Sequence, residues 1–112
     1  MSQKHITSLR CELESIEAQI NYIDVKIRLV TEIQTADNQK NEEVINKQFE
    51  EMEKATNDSQ KELIRKKYEQ IHLEFCQDYL INEREKASLQ SEKVILGHQK
   101  KRIEDELKFH FP

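Results

Sequence analysis

Eight apolar residues set the terms for this chain. Ile6, Leu9, Leu13, Ile16, Ile20, Ile23, Ile27 and Val30 recur at steps of 3-4-3-4-3-4-3. Such a row stays on one side of an α-helix only when the helix winds against another helix. Isoleucine fills most of the a positions and several d positions, a choice that leans toward more than two strands. Helix–helix packing is therefore the expectation for the first half.

A second set of apolar residues lies on other faces of the same helix: Tyr22, Val25, Leu29 and Ile33. From about 18 to 33 the helix is apolar nearly all round, the pattern of a helix buried among several neighbours. Single apolar residues on a surface are ordinary. A compact cluster at helical spacing predicts a partner-binding face instead.

The seam then turns polar at Gln34, Asp37 and Asn41, and within 34–43 only Ala36 is apolar. This stretch reads either as a loop, with Asp37 or Asn38 capping a new helix, or as a polar length of one helix. Val44, Ile45, Phe49 and Met52 restart the pattern in a shifted phase, a stutter if the helix is continuous.

The second half carries a looser seam. Tyr68, Phe75, Leu89, Leu96 and Ile103 share one heptad phase, with Asn82 as its polar member. Ile64, Ile71 and Leu107 fill part of the companion row, which Asp78, Glu85, Glu92 and Gln99 interrupt. Asn82 either fixes register, as a lone polar seam residue often does, or sits on a wet edge. Leu73, Cys76, Tyr79, Leu80 and Ile81 widen the apolar surface, and all but the cysteine join the predicted partner-binding set. Gly97 marks a kink, a close helix approach or a helix end. The tail with Leu107, Phe109 and Phe111 is apolar enough to dock on the N-terminus or on a partner.

Between the halves, Asn57, Asp58, Ser59 and Glu62 read as a turn and helix cap. Ser59-Gln60-Lys61-Glu62 fits the capping box, with the Ser59 hydroxyl accepting from the Glu62 amide and Glu62 reaching back. A reversal at 57–58 places residue i opposite residue 115 − i. Leu13 then faces about Ile103, Ile20 faces Ile95 and Leu96, and Gln34 faces about Asn82. Apolar meets apolar and polar meets polar. The predicted fold is all-α, a long antiparallel coiled-coil helical hairpin forming a single unit over 1–112. Its arms are 2–55 and 60–110, its turn is 56–59, and 35–41 is where the first arm would break. The alternatives are an extended parallel coiled-coil rod and a three-helix arrangement with a break near 36–40.

Composition narrows the function. The chain has one Gly and one Pro in 112 residues, and charged residues make up 36%. That mixture suits long solvated helices. Residues 1–56 carry a net charge of −4 and residues 57–112 none, so no basic surface for nucleic acid is expected. Cys11 and Cys76 are not in C-x-x-C spacing and predict reduced thiols in an intracellular, cytoplasmic or nuclear protein. No segment has the length of a membrane span or a signal-peptide core. No phosphate loop, H-E-x-x-H or G-x-S-x-G is present. The mirror places His5 beside His110 but supplies no third metal ligand. Asp24–Arg28, Glu43–Lys47, Glu50–Lys54, Glu62–Lys66 and Glu104–Lys108 are i,i+4 pairs that support exposed helix faces.

These features predict no catalysis, cofactor, metal, small-molecule substrate, nucleic acid or membrane insertion. They predict a coiled-coil structural subunit joining other helical proteins, a hetero-oligomer in preference to a homodimer. A kinetochore, spindle or cytoskeletal complex is one setting. A hairpin chaperone or export stalk that holds clients transiently is the other class. INYIDVKI at 20–27 and KFHFP at 108–112 resemble parts of a small helical subunit of the spindle-and-kinetochore-associated family. The two stretches cover 13 of 112 residues. The resemblance implies a helical protein of a complex that attaches microtubules at kinetochores.

Overall fold

A computed structural model describes residues 2–110. The protein is an all-α helical hairpin. Helix α1 spans Gln3–Lys54 and helix α2 spans Asp58–His110. The near absence of Gly and Pro leaves little to interrupt either helix. Ser2 opens α1 as its cap: its hydroxyl accepts from the His5 amide at 3.2 Å and its carbonyl from the Ile6 amide at 3.2 Å.

The reversal takes three residues, Ala55 to Asn57, and among the described residues none has positive φ. The chain turns without the left-handed residue that usually calls for glycine, which explains a hairpin tip with no Gly. The cap differs from the expected one. Asn57 Oδ1 accepts from the Gln60 amide at 2.8 Å, and the Asn57 carbonyl accepts the first helical bond from Lys61. Gln60 Oε1 reaches back to the Thr56 amide at 2.8 Å and the Thr56 hydroxyl at 3.0 Å. The capping residues are thus Asn57 and Gln60. Ser59 lies inside the first turn of α2, and Glu62 pairs with Arg65 at 3.3 Å. Asparagine is at least as good an N-cap as serine, and starting two residues earlier shortens the loop.

Helix α1 runs unbroken through 35–41. Its seam also keeps its phase, because Gln34 is buried and Asp37, Asn41, Val44, Gln48, Glu51 and Ala55 are half-buried at the continuing heptad steps. The anticipated stutter is absent, and Phe49 is 65% exposed. The seam persists as geometry while its side chains change from apolar to polar.

The structure divides into two compact units. The first comprises Met1–Leu29 and Lys86–Pro112, the second Val30–Glu85. In the first, Leu9, Ile16 and Ile23 of α1 pack with Leu89, Leu96 and Ile103 of α2 in one buried cluster, edged by Leu13, Ile20, Ile27 and Leu107. Ile6 is buried as well. At about 25 cal/mol per Å² this apolar burial is the main force holding these arms together. The companion row on α2 is not Glu92 and Gln99 but Lys93, Lys100 and Leu107, four residues after Leu89, Leu96 and Ile103. A lysine stem can lie along a seam with its head in water, and both of these heads reach across to carboxylates of α1. Lys93 Nζ meets Asp24 Oδ1 at 2.6 Å and Lys100 Nζ meets Glu17 Oε1 at 3.7 Å. Asp24 thus turns across to α2 rather than along α1 to Arg28, and Glu104 pairs with Lys100 rather than Lys108. Gly97 lies mid-helix, and a Cβ there would meet nothing within 4 Å, so it marks no close approach.

In the second unit the buried residues are Val30, Gln34 and Tyr68. Gln34 Nε2 donates to Glu83 Oε1 at 2.8 Å. Asp24–Lys93, Glu17–Lys100 and Gln34–Glu83 each fall two positions later on α2 than the 115 − i mirror places them. Side chains on a helix lean toward its N-terminus. In an antiparallel pair this lean matches residues farther from the start of each helix, so touching pairs shift in that direction.

Candidate protein-interaction faces

All eight residues expected to bind a partner are exposed: Tyr22, Val25, Leu29, Ile33, Leu73, Tyr79, Leu80 and Ile81. In the first unit, Tyr22, Val25 and Leu29 are 61%, 44% and 52% exposed. Their 3- and 4-residue spacing sets them on the side of α1 turned away from buried Ile16 and Ile23. The Lys26 ammonium lies 4.6 Å from the Tyr22 ring centroid, a cation–π contact. On α2, Val94 and Ile95 are each 58% exposed beside buried Leu96. Sequence reasoning placed Ile95 inside with Leu96, opposite Ile20. Consecutive helical residues are turned about 100° apart, so the run Val94-Ile95-Leu96 cannot share one face. That constraint was available in the sequence.

In the second unit, Ile33 is exposed on α1, and Leu73, Tyr79, Leu80 and Ile81 are exposed on α2. Predicted seam residues Phe75 and Asn82 are only half-buried. Both line a cleft of about 440 Å³. Its α1 side is polar, with Gln34, Asp37 and Asn41, and its α2 side carries Phe75, Tyr79 and Leu80. Asn82 lines the cleft near Gln34, while the hydrogen bond from Gln34 goes to the neighbouring Glu83.

Toward the tip the second unit holds a polar cluster that the sequence did not announce. Glu51 Oε1 accepts from Lys67 Nζ at 2.8 Å and from the Tyr68 hydroxyl at 3.0 Å. The Lys67 hydrogen bond, helped by Tyr68, holds the Glu51 carboxyl below its ordinary range despite some desolvation. The Lys67 ammonium is pushed up by the same bond. Burial raises the Tyr68 phenol, and the Glu51 carboxylate raises it further. The His72 ring is hydrogen-bonded to Gln48 Oε1 at 2.6 Å.

His5 Nε2 lies 3.5 Å from Glu106 Oε1, four residues short of His110. Phe109 is 81% exposed and meets the His110 ring edge-on at 5.1 Å. Phe111 and Pro112, the rest of the apolar tail, lie outside the described residues. Cys11 and Cys76 are free and exposed. Among the described residues no helix is long and apolar enough to cross a membrane. The observed faces are thus apolar patches on paired helices, suited to burying against another helix. Compared with protein-family models, curated proteins and solved structures, the chain matches none.

Proposed function

We propose that the protein is a non-enzymatic coiled-coil structural subunit that assembles through its helices with other helical proteins. The observation that carries this reading is the exposure of the Tyr22, Val25 and Leu29 face, on a helix whose opposite face is already buried. A helix apolar on two sides has a place for two neighbours, and α2 supplies one. Lys26 and Arg28 border the exposed face. Antiparallel self-pairing about Val25 brings these cations toward their own copies, which favours a different partner with acidic flanks. The free, exposed Cys11 and Cys76 suit a reducing, intracellular compartment.

The test is affinity purification with identification of the bound proteins, comparing wild type with Leu29→Asp. Leu29 is half exposed in the hairpin, so the variant keeps the wild-type circular dichroism and melting temperature. Helical partners bound by the wild type are lost from the variant. An unchanged set of bound proteins overturns the reading. Ile23→Asp does not serve here, because Ile23 is 4% exposed within the hairpin core.

A further inference from the structure

The cleft of the second unit calls for an occupant of a particular chemistry. A volume of about 440 Å³ falls in the roughly 300–1,000 Å³ range of ligand sites, which combine apolar walls with a few convergent polar groups. Here the walls are Phe75, Tyr79 and Leu80, and the polar groups are Asp37, Asn41 and Asn82. The Asn41 side-chain oxygen is buried and accepts no hydrogen bond. An acceptor left in that state is destabilising relative to a paired one. That oxygen is closed to a water molecule as the side chain stands, and a turn of the Asn41 amide toward the cleft lets an entering donor recover the loss.

Charge selects among donors. Residues 30–85 hold 8 Lys and Arg against 14 Asp and Glu, a net charge of −6, whereas the other unit carries +2. Asp37 places a carboxylate in the cleft beside Asn41. The aromatic rings favour a flat cation, because guanidinium stacks on aromatic faces and sheds water more readily than ammonium. We propose that this cleft binds a planar guanidinium- or amidinium-type cation. An N–H donates to Asn41 Oδ1, the charge lies against Asp37, and the flat face lies along Tyr79 and Phe75. The head group arrives either on a free small molecule or as an arginine of another chain. The inference concerns a different surface from the Tyr22–Leu29 face and stands without the assembly reading.

The experiment is a titration of the whole chain with benzamidinium, n-butylguanidinium and neutral benzamide, followed by amide chemical shifts. Both cations shift residues 34–41 and 72–82 saturably, and benzamide binds about tenfold more weakly, the loss of one charge-assisted contact. Asp37→Asn and Asn41→Leu each weaken the cations about tenfold while circular dichroism stays helical. Asn41→Leu restores an apolar seam residue. Asp37→Asn is isosteric and keeps the test standing should the leucine rearrange the packing. Butylguanidinium binding as tightly as benzamidinium identifies an arginine head group. A clear preference for benzamidinium identifies a free aromatic cation. Benzamide binding as tightly as the cations, cation binding that survives both substitutions, or shifts that never saturate overturns the proposal.

Discussion

The two units share one heptad geometry and fill it differently. Residues 1–29 and 86–112 close around isoleucine and leucine, with lysines along the edge. Residues 30–85 keep the same steps on α1 but place Gln34, Asp37, Asn41, Gln48 and Glu51 on them. The first unit gains its stability from apolar burial. The second replaces part of that burial with hydrogen bonds, Gln34 to Glu83 and Glu51 to Lys67 and Tyr68. Such bonds add little net stability each, because folding exchanges them for bonds to water, but they demand matched partners. Apolar seams tolerate slippage by a heptad, and a seam with matched polar residues does not. The contrast suggests a division between holding the arms together and fixing which residues meet.

The largest expected effect tests that division directly. Ile23→Asp leaves an unpaired charge in the apolar cluster and destabilises the hairpin by about 3–5 kcal/mol, comparable with breaking a buried ion pair. Gln34→Leu, the matching change from polar to apolar in the second unit, removes the donor to the half-buried Glu83 carboxylate and lowers stability by about 1 kcal/mol, well short of the Ile23→Asp loss. Denaturant melts measure both. A loss of several kcal/mol for Gln34→Leu would show that the second unit depends on its polar seam for stability as well as register.

Gly97→Ala comes next and bears on the first unit alone. An added Cβ meets nothing within 4 Å, so the substitution removes only the flexibility of glycine and raises stability by about 0.5–1 kcal/mol. A lower melting temperature would mean that Gly97 relieves a constraint the helix does not display.

The smallest effect is a pH dependence in the second unit. Glu51 has its carboxyl pKa lowered from 4.5 in the folded protein. Its contribution is therefore present above pH 4.5 and fades as the pH falls through the lower, folded value. Lys67, raised from 10.5, behaves in the opposite sense: its share persists below 10.5 and is lost as the pH rises through the folded value. The gap in melting temperature between wild type and Glu51→Gln should narrow as acid is added below pH 4.5. A gap that stays constant would remove the carboxylate from the account.

The heptad of Ile6 to Val30 made the first unit legible, because apolar periodicity survives any detail of the partner. The mirror about 57–58 made the hairpin legible, since polar Gln34 and Asn82 came level. Three things were hidden. The lysine row at 93 and 100 was overlooked because a seam was sought among apolar residues, whereas a lysine stem packs like one. The phase of α1 beyond Val30 was misread because Phe49 drew the pattern toward itself, although it faces solvent. The cap was assigned to Ser59 because serine with glutamate is the familiar pair, while Asn57 with Gln60 fits the same template two residues earlier. The exposed face was legible for the reason the core was: Tyr22, Val25 and Leu29 repeat at helical spacing, but in a phase the first seam cannot use.

The three-residue tip has a consequence for how the protein behaves on dilution. A link of that length holds α2 at an effective concentration near α1 that no bulk dilution alters. Zipping of the inner seam is therefore a first-order event, with a melting temperature that does not depend on protein concentration. On the proposed reading, recruitment of another chain to the outer faces would be second order. Abundance in the cell would then regulate the outer contacts alone, and each partner would meet a pair of helices whose mutual ordering is already complete.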